Sequence, residues 1–252
     1  SIMYAIGAPI VGFVAGFGGW RFAFLAFVFV ISLVGLLLAF SGLPSPRNPQ
    51  SRGSRETYLG GFMSIFSNKS AVACLAGPAL SQIAWQVILL YSSSFLRQRF
   101  LLPTSLVSIN SMVAATSYTI GTLVSGRFVN KFGRKPLTVL ASLLAGLFIM
   151  SYMNIPNLWV ALIVCYTGCF FAGFRYAAAT TLAIEQVPAF RGTMMSLYAA
   201  TDSIGGALGA GVGGLVLLLY NYELLGLSIG AMGIIGSVLL YFLAIDPTKH
   251  AL

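Results

Sequence analysis

Residues Phe22–Phe40 read FAFLAFVFVISLVGLLLAF, a run with one serine, one glycine and no charge. Wound as an α-helix this segment is apolar on every side, and at ~1.5 Å per residue it matches the ~30 Å hydrocarbon layer of a bilayer. Similar runs recur at Ala71–Tyr91, Leu106–Ser125, Leu137–Ile155, Trp159–Ile184, Thr193–Tyr220 and Leu224–Ile245, and a shorter one, Ile2–Phe17, opens the chain. Only 8% of the 252 residues are charged while 58% are hydrophobic, too little polar surface to keep a globule of this size in water. Strands of a membrane barrel would alternate apolar and polar residues, which these runs do not. The fold class is therefore an all-α membrane protein, a polytopic bundle with eight predicted transmembrane helices, because helices satisfy their own backbone in lipid.

The formal charge of +9 would suit a nucleic-acid binder, but composition excludes a soluble basic domain. The cations instead alternate between loops. One set of loops and span ends carries Arg47, Arg52, Arg55, Lys69, Arg127, Lys131, Arg134, Lys135, Arg191 and Lys249; the opposite set carries Arg21, Arg97 and Arg99. Cytoplasmic loops hold the excess of Lys and Arg, so loops 41–70, 126–136 and 187–192 and the C-terminus are expected in the cytoplasm of a cell whose plasma or inner membrane the chain crosses. Asn68-Lys69-Ser70 matches a glycosylation sequon but lies on that face, where the modification is not made, and is read as chance.

Ser41–Gly61, SGLPSPRNPQSRGSRETYLGG, is rich in Pro, Ser, Gly and Arg and reads as a flexible linker. It divides the chain into residues 1–40 with two spans, a central loop 41–70, and residues 71–252 with six. The chain begins at Ser1 inside an apolar run, and the expectation is a two-bundle protein whose first bundle is truncated here; the alternative is a complete eight-span protein.

Gly126-x-x-x-Asn130-Lys131-x-Gly133-Arg134-Lys135-Pro136 resembles the signature loop of the major facilitator superfamily, with Asn130 where the family carries Asp. Gly19-Trp20-Arg21-x-x-Phe24 is similar to that family's outside turn between its fifth and sixth helices, and Glu185-x-x-Pro188-x-x-Arg191-Gly192 to the turn between its tenth and eleventh. The resemblance covers the whole chain and implies helices five to twelve of a twelve-helix transporter. Pro9 and Gly12 resemble part of the helix-five motif of the family's antiporters, from which Tyr4, Ala8 and Phe13 depart. A proton-coupled efflux or antiport protein, monomeric at full length, is what the resemblance implies, with Gly126, Asn130, Lys131, Gly133, Arg134 and Lys135 as a gating loop. An ion-independent facilitator and a non-transporting scaffold that reuses the bundle are the alternatives.

In that family the seventh and tenth helices line the central cavity, which makes Gln82, Gln86 and Tyr91 candidates for substrate contact. Gln82 and Gln86 are four apart and share a helical face; they serve either as interhelical glue or as cavity-lining amides. Arg175 and Asp202 are charges at bilayer depth, each costing ~2.5–3.5 kcal/mol on insertion scales. Both lie roughly 16–18 Å from the same membrane face, on consecutive antiparallel spans. Two readings stand: a permanent structural ion pair, with Gly205, Gly206 and Gly209 allowing the helix of Ala177–Ala179 to approach, or a pair broken during the cycle as Asp202 takes a proton or Arg175 takes an anionic group.

Cys165 and Cys169 read as small packing residues, and Cys74 is on another helix, so no metal site and no disulfide framework is expected. The single histidine is His250, and no H-E-x-x-H, G-x-S-x-G or Walker loop occurs. No enzyme and no cofactor is expected; the partners are a small-molecule substrate, the lipid bilayer and protons, with no nucleic acid.

Overall fold

The computed structural model describes Gly7, Ile10, Val14, Gly18 and Gly19, residues 21–42, and residues 55–246, without the side chains of residues 55–58, 104, 105 and 130. Most of the first expected span, with Pro9 and Gly12, and also Trp20, Arg47, Arg52, His250 and the Asn130 side chain, lie outside the described residues. Eight helices are seen among them: α1 (Arg21–Gly42, with a π-helical stretch at Phe24–Phe29), α2 (Arg55–Ser67), α3 (Lys69–Phe100), α4 (Thr104–Phe132), α5 (Arg134–Tyr152), α6 (Leu158–Ile184), α7 (Arg191–Leu219) and α8 (Tyr222–Leu243). A 3₁₀ turn, Pro188–Phe190, joins α6 to α7. Seven of the eight expected spans correspond to helices, and several of these, α3 and α4 above all, run past the apolar core into flanking polar residues. The linker reading needs correction, since helix starts at Arg55 inside the stretch expected to stay flexible through Gly61.

Asparagines start three of these helices. The Asn68 side chain accepts from the Ser70 and Ala71 amides, Asn157 from Trp159 and Val160, and Asn221 from Leu224. Each satisfies amide donors that the first turn leaves free. The sequon asparagine is thus a helix cap.

Six helices, all but α2 and α4, are long and apolar enough to cross a membrane. Helix α4 has the length, 29 residues, but is studded with hydroxyls. Those of Ser111, Thr116, Thr119 and Thr122 bond the carbonyl four residues back, so the polar groups are satisfied within the helix itself.

Helices α3–α8 form one bundle in which sequence neighbours are mostly not packing neighbours. The main contacts run α4–α6–α5–α8–α3–α7, and the two ends of this open ring, α4 and α7, scarcely touch. Exchanging α3–α5 for α6–α8 maps the pattern onto itself, the signature of two three-helix repeats. Close crossings are made by glycine: an added Cβ at Gly121 of α4 would collide with the Phe170 carbonyl of α6, and one at Gly209 of α7 would lie 2.7 Å from the Ile83 carbonyl of α3. Small residues bring helix backbones together where lipid gives no hydrophobic drive. By contrast α1 is almost bare, with 6% of its apolar window buried.

Candidate functional site

Arg175 sits on α6, 1% exposed and the largest fully buried side chain among the described residues. Its guanidinium reaches across to α3, where one terminal nitrogen donates to the Pro78 carbonyl at 3.1 Å and the other to Gln82 Oε1 at 3.1 Å. Both acceptors are neutral, so the cation is hydrogen-bonded but not neutralised.

Asp202 on α7 is half-buried, and its Oδ1 is shielded from solvent without a hydrogen-bond partner among the described residues. It forms no ion pair with Arg175. The expected pair is therefore corrected, and the ring order supplies the reason: α7 packs mainly against α3 and touches α6 only sparsely. The small face of Gly205 and Gly209 is accordingly filled by Ala79 and Ile83 of α3 instead of Ala177–Ala179.

Gln82 and Gln86 share a face of α3 as expected but meet different helices. Gln86 rests against α7, where a Cβ on Gly206 would lie 3.5 Å from its Oε1. Tyr91 stands two and a half turns beyond Gln82 and donates its hydroxyl to the Ala210 carbonyl at 2.7 Å, its ring against Gly213 and Gly214. That side chain is a strut between α3 and α7, separate from the Arg175 group. A series of aromatic rings joins the site instead. Trp85 stacks on Tyr118 of α4 (centroids 4.5 Å apart), Tyr118 neighbours Tyr176 of α6 (6.5 Å), and Tyr176 neighbours Tyr198 of α7 (6.4 Å). Four helices, among them the three that carry Gln82, Arg175 and Asp202, thus deliver one ring each to a single series. Tyr118, Tyr176 and Tyr198 escape sequence reading because tyrosine inside an apolar run looks like packing; Tyr198 and Asp202, four apart on one face, were the available signal.

The loop motif folds as a tight corner. Gly133 has φ 88°, a left-handed conformation that glycine adopts without cost, while Gly126 lies inside α4 facing open space and makes no turn. Lys131 closes the last turn of α4 with Nζ 5.3 Å from the Phe132 ring, where a cation complements the helix dipole. Beyond the corner, Asp246 Oδ2 accepts from the amides of Arg134 (3.2 Å) and Lys135 (3.1 Å) and so caps α5 from the far end of the chain. Arg134 is ion-paired with Glu185 at the end of α6, and Lys135 lies 5.8 Å from the Tyr241 ring. Ser70 then ties the same end together, donating to Gln186 Oε1 (2.6 Å) and accepting from the Ile245 amide (2.7 Å). Neither Glu185 nor Asp246 stood out as a site residue in the sequence.

The model of the Major Facilitator Superfamily matches residues 74–252. This chain belongs to that superfamily. Its curated relatives include the uncharacterized MFS-type transporter YybF of Bacillus subtilis, 27% identical over 157 residues (62% of this chain, 38% of that protein), and the inner membrane transport protein YnfM of Escherichia coli, 28% identical over 156 residues (62% and 37%). The chain thus spans about two fifths of the length of the curated relatives it matches. Among solved structures, the superfamily transporter FucP in its outward conformation superposes with TM-score 0.66 at 14% identity, over 90% of this chain and 55% of that one. A bacterial homologue of the human lysosomal transporter Spinster, inward-facing, superposes with TM-score 0.52 at 19% identity, over 94% and 62%. At these identities the structures share the superfamily fold, and that fold accounts for the interleaved ring of α3–α8.

Proposed function

We propose that the protein is a secondary active transporter of a small molecule, working by alternating access in the inner membrane as the C-terminal part of a twelve-helix superfamily member. The names of YnfM and YybF support transport and the membrane; the distribution of Lys and Arg supports a cytoplasmic Gly133–Glu185 end. The observation that carries the reading further is the orphaned Oδ1 of Asp202 beside a cation already satisfied by neutral oxygens. A carboxylate at this depth is costly, and a proton or a donor group on the substrate relieves that cost. We assign Asp202 the coupling proton, Arg175, Gln82 and the Trp85–Tyr118–Tyr176–Tyr198 series the substrate side, and proton antiport as the exchange. Gly133, Arg134 and Lys135, with Glu185 and Asp246, form the cytoplasmic latch, opened and closed once per cycle. No cofactor enters this scheme.

The test uses the full-length protein in proteoliposomes with a substrate found by thermal-shift screening. Asp202→Asn is expected to lose transport driven by a pH gradient while retaining substrate exchange under equal pH. Undiminished gradient-driven transport by this variant would refute the proton assignment.

A further inference from the structure

Helix α2 presents three faces to three surroundings. Gly61 and Ile65 are buried against the bundle, where a Cβ on Gly61 would come 3.1 Å from the Phe190 ring and 3.3 Å from Thr193 Oγ1. Leu59, Phe62, Met63 and Phe66 recur at the i, i+3, i+4, i+7 spacing of a single stripe, and all are exposed, at 57%, 42%, 74% and 59%. Gly60, Ser64 and Ser67 make a third face, also exposed but polar. A helix wholly in water would not carry the second face, and one wholly in lipid would not carry the third.

Its position fits the boundary between the two. Asn68 alone separates α2 from the span α3, and the turn it docks against, Pro188–Phe190, joins the ends of α6 and α7. The helix therefore lies level with the span ends, on the side that carries the basic loop. Lys69, two residues past α2, and Arg191, next to Phe190, are both exposed there, and Arg191 forms no ion pair among the described residues. Exposed cations flanking an apolar stripe at this depth complement anionic headgroups.

We propose that α2 is an interfacial helix that docks on an anionic lipid surface: Leu59, Phe62, Met63 and Phe66 enter the boundary of the acyl chains, and Lys69 and Arg191 engage the lipid phosphates. Because the opposite face of α2 grips the turn that follows Glu185, the bilayer surface acquires a hold on the Arg134–Glu185 end of the bundle.

The experiment reads this without a substrate. The full chain carrying Met63→Cys or Ser64→Cys is spin-labelled, the native Cys74, Cys165 and Cys169 being buried, and reconstituted in phosphatidylcholine alone or mixed with phosphatidylglycerol. Collision rates with oxygen, which partitions into lipid, and with a water-soluble nickel chelate are then compared. The oxygen-to-nickel ratio is expected to be several-fold higher at position 63 than at 64, to rise further at 63 with phosphatidylglycerol, and to lose that rise in the Lys69→Gln, Arg191→Gln double variant. Equal, nickel-dominated rates at both positions would place α2 in water. A label at 63 shielded from both reagents would show the stripe covered by protein. Either outcome overturns the proposal, and a ratio indifferent to phosphatidylglycerol overturns its anionic component.

Discussion

At the basic end of the bundle Arg134 meets the carboxylate of Glu185 and Asp246 closes the first turn of α5, whereas at the centre Arg175 meets only neutral oxygens and Asp202 keeps one oxygen without a donor. At the end Arg134 and Glu185 keep about a quarter of their side chains exposed, and the charges are matched even so. The centre, where desolvation is most costly, leaves a carboxylate unmatched. Charges that hold a conformation need partners in that conformation; a charge that must accept something from outside the protein needs a vacancy.

Substitution should pull the two regions apart, and the largest contrast is expected between Asp202→Asn and Glu185→Gln. The first should abolish gradient-driven transport with the thermal midpoint in detergent unchanged or raised, because it removes charge from a shielded oxygen that no hydrogen bond among the described residues satisfies. The second should behave in the opposite way. Arg134 and Glu185 are each about a quarter exposed, so loss of the pair should cost ~1–2 kcal/mol, between the values for exposed and buried pairs, with substrate affinity retained. If Asp202→Asn is the less stable of the two, Asp202 has a structural partner and the contrast fails.

A smaller effect is expected at the cap. Asp246→Ala removes the acceptor for two amides of α5 and should cost ~1 kcal/mol. Gly133→Ala, forced to keep φ near 88° with its Cβ 3.2 Å from Asp246 Oδ2, should cost ~1–2 kcal/mol. Measured together, these two changes should fall short of additive, since they disturb one corner. Smallest is Tyr91→Phe, which deletes the bond to the Ala210 carbonyl and should lower stability by ~1 kcal/mol or less with substrate affinity untouched. A marked loss of affinity in that variant would return Tyr91 to the site.

The spans were legible because an apolar run longer than a bilayer is thick leaves few alternatives, and Arg175 and Asp202 were legible because charge at that depth is rare. Their relation was not. Treating consecutive helices as neighbours is sound for a simple up-down bundle, but interleaved repeats put α7 against α3, and no residue within α6 or α7 announces this. Asp246 was hidden for another reason: it lies 112 residues from the amide of Arg134 that it caps, and a cap supplied from so far leaves no local pattern. Helix α2 was obscured by the Pro- and Gly-rich stretch before it, although the spacing of Leu59, Phe62, Met63 and Phe66 was there to be read.

The polarity of α4 bears on how the molecule is made. A segment with so many hydroxyls is a weak signal for lateral release into the bilayer, and its principal packing partner, α6, is translated later. Ser117 illustrates the dependence, since its hydroxyl is completed by the Tyr166 carbonyl of α6 at 2.7 Å. Until the ribosome has delivered α6, Ser117 of α4 lacks the carbonyl that completes it, so α4 is expected to integrate stably only after α6, and the open ring to assemble in an order different from that of its translation.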